Sequence, residues 1–149
     1  MQRRTFIKGA IASNLLLVSH FILPNASAAL SRDIFSSKDA EEAMKALLGE
    51  AKAEESDKIE IKAPELAENG AVVPIEVISG IEGTTKIALV VINNPTPLAG
   101  QFTFSEGLDS NIKLRCKIGK PSDVVAVITA GDKVYTQKVH VKVTKGGCA

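Results

Sequence analysis

From Lys58 to Thr144 the sequence runs in short alternating apolar and polar stretches, broken by turn residues at nearly regular intervals. A helix needs apolar residues every three or four positions, whereas a strand with one buried face needs them every second position. The stretch KIEIK (58 to 62) alternates cleanly, AVVPIEVI (71 to 78) carries Pro74, which suggests an edge or a bulge, and TKIALVVI (85 to 92) is almost continuously apolar, as a central strand is. QFTFS, NIKLRCKI, DVVAVIT and KVYTQKVHVKV follow, separated by Gly107, Gly119-Lys120-Pro121 and Ala130-Gly131-Asp132-Lys133. The pattern predicts about seven strands and an antiparallel β-sandwich.

The two-residue period also assigns faces. Ile112, Leu114, Cys116 and Ile118 share one face, and Lys113, Arg115 and Lys117 the other. In the last strand Val139, Val141 and Val143 are expected to face the core, and Lys138, His140 and Lys142 the solvent. Ahead of the strands, SSKDAEEAMKALLGEAKAEES places Ala40, Ala43, Met44, Leu47 and Leu48 on one stripe, predicting an amphipathic helix over about 38–48 with Ser36 and Asp39 as a cap and Gly49 as its stop. Glu41, Glu42, Glu50, Glu54 and Glu55 are expected on its solvated side.

The first 28 residues are expected to lie outside this fold. A basic start (Arg3, Arg4, Lys8), an apolar stretch from Ala10 to Leu23 and the small triplet Ala26-Ser27-Ala28 have the form of an export signal, with cleavage expected after Ala28 and Ala29 fitting nearly as well. Arg3-Arg4 followed by Thr5-Phe6-Ile7-Lys8 has the form of a bacterial twin-arginine signal, and places the mature protein in the periplasm. A membrane anchor would need about 20 predominantly apolar residues, which Pro24 and the triplet argue against. Removal of residues 1–28 leaves 15 Lys and Arg against 17 Asp and Glu. From Asn111 onward eight basic residues face two acidic ones, so the C-terminal end is basic. Those lysines either form the solvent faces of strands or draw an anionic partner toward the tip.

Elimination narrows the chemistry. With His20 inside the signal, His140 is the sole remaining histidine and is expected on a solvent face, which argues against both a histidine metal cage and a Ser-His-Asp triad. There is no glycine-rich nucleotide loop and no paired-cysteine zinc motif. Trp is absent and aromatics are 4%, which leaves no stacking platform for nucleic-acid bases. No cofactor or metal is expected, and no nucleic acid or membrane as partner. Of the two cysteines, Cys116 reads as a small core residue, because buried free thiols behave as hydrophobes. Cys148 stands in the terminal stretch Val143-Thr144-Lys145-Gly146-Gly147-Cys148-Ala149. Glycine loses more entropy on ordering than any other residue, so Gly146-Gly147 makes a thin tether, and residues 145–149 can extend about 17 Å. A thiolate is the reactive form of cysteine, and Lys142 and Lys145 offer it positive field.

KVHVKVTKGGCA, preceded by DVVAVITAGDKVYTQ, resembles the C-terminal end of the SoxY family, the sulfur-carrier subunits of the bacterial thiosulfate-oxidising Sox system. IKAPELAENGAVVPIEV and NNPTPLAGQFTFSEG resemble that family's internal signatures. The resemblance implies an immunoglobulin-like antiparallel β-sandwich domain over 29–144, a mobile arm over 145–149, and a non-catalytic role. It implies that Cys148 is the covalent attachment point for thiosulfate-derived sulfur, with Gly146 and Gly147 as the hinge. The partners it implies are a SoxZ-like subunit, a haem enzyme that loads thiosulfate as a cysteine S-thiosulfonate, a hydrolase that releases sulfate, and a sulfane dehydrogenase. The alternative is an exported structural sandwich joined to a partner through a Cys148 disulfide. The segments Asn93 to Pro97 and Glu65 to Pro74 are candidate partner surfaces, or else fold-defining turns. The family usually ends Gly-Gly-Cys-Gly-Gly, and here Ala149 alone follows Cys148. A carboxylate one residue from the thiol is expected to disfavour the thiolate, with Lys145 and Lys142 partly offsetting it.

Overall fold

In the computed structural model, residues 32–144 other than Glu106 are described. A 3-10 turn, Arg32–Ser36, leads into α1, Ala40–Leu48. Asp39 is the cap: its carboxylate accepts from the Glu41 N–H at 2.8 Å, and Ser36 belongs to the turn before it. Gly49 ends the helix as expected, at φ 59°, a backbone region that disfavours a Cβ. Glu41 and Glu42 lie on α1, but Glu50 sits in the following turn and Glu54 and Glu55 lie in a strand; all are exposed.

That strand is β1, Ala53–Glu55, followed by β2, Ile59–Lys62; β3, Leu66–Ala67; β4, Val73–Ser79; β5, Thr84–Val91; β6, Leu98–Thr103; β7, Asn111–Cys116; β8, Ser122–Ala130; and β9, Lys133–Val143. Among the described residues these nine make two sheets. The large one has the order β1-β9-β8-β5-β6, with β3 also on β9; the small one has the order β2-β4-β7. The antiparallel expectation needs one correction. β1 and β3 pair with β9 in parallel, at Ala53↔Val134 and Ala67↔Val143, because the chain crosses between sheets through β2 rather than turning back as a hairpin.

The core lies between the sheets. Ile87, Leu89 and Val91 of β5 and Val124, Ala126 and Ile128 of β8 face Ile59, Val73, Ile75, Val77 and Ile112 from the small sheet. The near-continuous apolar runs of β5 and β8 have a second cause: Ala88, Val90, Val125 and Val127, on the reverse face, are also buried, and α1 and the 3-10 turn pack against β5 and β6 there. The large sheet is therefore covered on both sides. Pro74 is tolerated for a local reason. Pairing of β2 with β4 stops at Lys62↔Glu76, so at Pro74 the strand has β7 as its neighbour on one side only. Among the described residues no helix is long and apolar enough to cross a membrane.

Candidate functional site at the end of the last strand

β9 is the longest strand, and its residues fall on the faces that alternation predicts. Val141 is fully buried, Val139 and Val143 are half-buried against the core, and Lys138, His140 and Lys142 are exposed. His140 Nδ1 lies 2.6 Å from Asp123 Oδ1 across the β8–β9 ladder, an ordinary cross-strand pair on an exposed face. From Asn111 onward the described lysines and the arginine are all exposed: Lys113, Arg115, Lys133, Lys138 and Lys142 on the solvent faces of β7 and β9, Lys117 and Lys120 in the loop between β7 and β8.

Where β9 ends, the sandwich ends with it. The start of β4, the end of β5, the end of β7 and the start of β8 all lie at this pole, as the pairings Val73↔Cys116, Val91↔Val124 and Ser122↔Val141 require. The Asn93 to Pro97 segment is a fold-defining turn here. Asn94 donates to the Lys117 carbonyl at 2.6 Å and accepts from the Gly119 N–H at 3.1 Å, while Asn93 donates to the Pro121 carbonyl at 2.8 Å. The Glu65 to Pro74 segment does two things. Ala67 is buried, and Gly70 accepts from the Ile118 N–H at 2.7 Å, closing the pole; Glu65, Ala67 and Glu68 present carbonyls to the last residues of β9. The Lys142 N–H reaches the Glu65 carbonyl at 2.9 Å, the Thr144 N–H reaches the Ala67 carbonyl at 3.1 Å, and the Thr144 hydroxyl donates to the Glu68 carbonyl at 3.2 Å.

Of the residues singled out from the sequence, Lys142 is exposed on β9. Lys145, Gly146, Gly147, Cys148 and Ala149, like the signal over 1–28, lie outside the described residues. Cys116 is inward, as its alternation predicts, half-buried against the core and unbridged among the described residues. Burial pushes its thiol up from 9.0 to about 11, because desolvation penalises the thiolate. A smaller native-state thiolate population follows. Alkylation of Cys116 by iodoacetamide near neutral pH is accordingly expected to be at least about tenfold slower in the folded protein than in guanidinium, read by peptide mass mapping over time. The same shift has a sign for stability. The folded thiol keeps its proton where the unfolded one has lost it, so this contribution is full below about pH 9 and is lost as the pH rises through about 11.

No group of three or more metal-binding side chains occurs among the described residues. A shallow groove of about 910 Å³ crosses the small sheet, lined by Lys62, Pro64, Pro74, Glu76, Lys113 and Arg115. Glu76 sits 3.2 Å from Lys113 within it, and no cysteine, serine, threonine or histidine lines it.

The description "Sulfur oxidation protein SoxY" matches residues 44–148, most of the chain. The chain belongs to the SoxY family. Among solved structures, the sulfur carrier protein SoxY from Chlorobium limicola f thiosulfatophilum is 38% identical, with a TM-score of 0.65 over 70% of this chain and 94% of that one. The reeler domain of human F-spondin also matches, at 12% identity and a TM-score of 0.45 over 64% of this chain and 98% of that one. That likeness carries no argument about SoxY proteins. No curated protein matches the chain.

Proposed function

We propose that this SoxY-family chain is a covalent carrier of sulfur intermediates in thiosulfate oxidation, loaded at Cys148 and catalysing nothing alone. What carries the reading is the contrast between its two cysteines. Cys116 is held in the sandwich wall with its thiol pushed up to about 11, whereas Cys148 follows Gly146-Gly147 in the sequence after the last described residue, Thr144. The likeness to a sulfur carrier protein SoxY supports the same assignment.

On this reading, loading joins the Cys148 sulfur to the outer sulfur of thiosulfate. The thiol gives up its proton, and two electrons pass to a haem enzyme of the Sox system, leaving a cysteine S-thiosulfonate. Water then cleaves the bond between the sulfane and sulfonate sulfurs at a hydrolase. Sulfate and a proton depart, a persulfide stays on Cys148, and a sulfane dehydrogenase takes it further. Lys142 and Lys145 supply positive field to the thiolate and to the anionic cargo. Gly146 and Gly147 let the tether enter clefts of different shape, and tethering raises the effective concentration of the sulfur at each. A SoxZ-like subunit completes the carrier, and the signal at residues 1–28 sends it to the periplasm by the twin-arginine route.

Intact mass spectrometry of the protein from thiosulfate-grown cells tests this. Adducts of thiosulfonate or persulfide mass that map to Cys148 and vanish with reductant are expected. A permanent cross-link to a second protein through Cys148, with no small sulfur adduct, would instead favour the structural sandwich.

A further inference from the structure

The carrier reading asks that Cys148 move, but the same sulfur must move from a defined point, and the fold contains a device that sets it. β9 loses its antiparallel partner at Val141, which is opposite Ser122, the first residue of β8. Val143 and Thr144 would fray from there if nothing else held them. They are held by β3, a strand of two residues, and by the Glu68 carbonyl just beyond it. Thr144 makes two of these bonds, one through its backbone N–H to Ala67 and one through its side-chain hydroxyl to Glu68. It is exposed, buries no apolar surface of note, and stands two residues before Gly146.

We propose that Thr144 is a positioning residue that locks the pivot of the Cys148 tether. The lock rests on the carrier reading for its purpose and on the hydrogen bonds for its existence. Four peptide steps separate Thr144 from Cys148, a reach of about 13 Å when extended. Releasing Thr144 moves the last fixed backbone bond to Lys142 and lengthens the free chain by about 7 Å. A longer free segment spreads the sulfur over a larger shell, which lowers its effective concentration in any one cleft. Hydrogen bonds from a hydroxyl and an N–H to carbonyls suit the task, because they fix the chain without an apolar anchor that would compete with a partner's surface.

The test uses the full chain with a nitroxide attached to Cys148. Thr144→Val keeps the branched shape and removes the hydroxyl bond; Thr144→Pro removes the N–H as well; Thr144→Ser keeps both. Label motion is expected to rise from wild type and Thr144→Ser to Thr144→Val and further to Thr144→Pro. Amide exchange at position 144 is expected to quicken about threefold to tenfold in Thr144→Val and to stay unchanged in Thr144→Ser. In thiosulfate-grown cells the loaded fraction of Cys148 should fall severalfold in Thr144→Pro and recover in Thr144→Ser, while alkylation of Cys148 by iodoacetamide stays within twofold of wild type. Identical label spectra and exchange in wild type and Thr144→Val overturn the lock, and Thr144→Val answers the question should Thr144→Pro fail to fold. A wild-type protein that carries no sulfur adduct sinks the carrier reading, and leaves the lock to stand or fall on the label and exchange data.

Discussion

Cys148→Ser is expected to remove every thiosulfate-derived adduct from the protein while leaving its melting temperature and its secondary structure unchanged. The loss is total because the other sulfur cannot substitute. Cys116 is the last residue of β7, opposite Val73 of β4 and half-buried against the core, with its thiol pushed up to about 11. A serine hydroxyl at 148 is a far poorer nucleophile and cannot form the sulfur–sulfur bond. Stability should hold, because every described core residue and strand stands at or before Val143, and a change away from buried features shifts stability by about 0.5 kcal/mol at most. Mass mapping of the variant from thiosulfate-grown cells decides the matter, and an adduct found on Cys116 would move the chemistry into the sandwich wall.

Leu89→Ala should produce the largest loss of stability of any single truncation considered, about 2–5 kcal/mol, with a fall in Tm on the order of 10 °C. Leu89 is fully buried in the central strand, and its register partners are Ala126 on β8 and Gly100 on β6. Both neighbours are small, so no side chain beside it can swing in to fill the cavity. Ile112 makes a useful contrast. It lies on β7, an edge strand of the small sheet, and the edge can move inward, so Ile112→Ala should cost roughly half as much. Denaturant titration of both variants measures the difference, and equal losses would mean that the core collapses as easily at its centre as at its rim.

Alternation made β7 and β9 readable residue by residue, since each has one face on the core and one in water. The double burial of β5 and β8 was visible as unbroken apolar runs, although the runs alone do not say that α1 covers their reverse face. Glu54 and Glu55 were misplaced onto the helix for a definite reason. β1 is three exposed residues held by backbone bonds to β9, and such a strand carries no period of apolar side chains to betray it. β3 is shorter still, with one buried residue, Ala67. The same blindness hid Thr144. Its partners are the carbonyls of Ala67 and Glu68, and any residue type at those positions would offer the same oxygen. The cysteine and its glycines, by contrast, were legible because their chemistry is in the side chains, or in the lack of them.

The continuous antiparallel ladder from Ala130↔Lys133 to Ser122↔Val141 has a mechanical corollary. A load applied at the end of β9 along its axis shears the crosswise hydrogen bonds to β8 together instead of unzipping them singly, so the force is spread over the full span of the ladder.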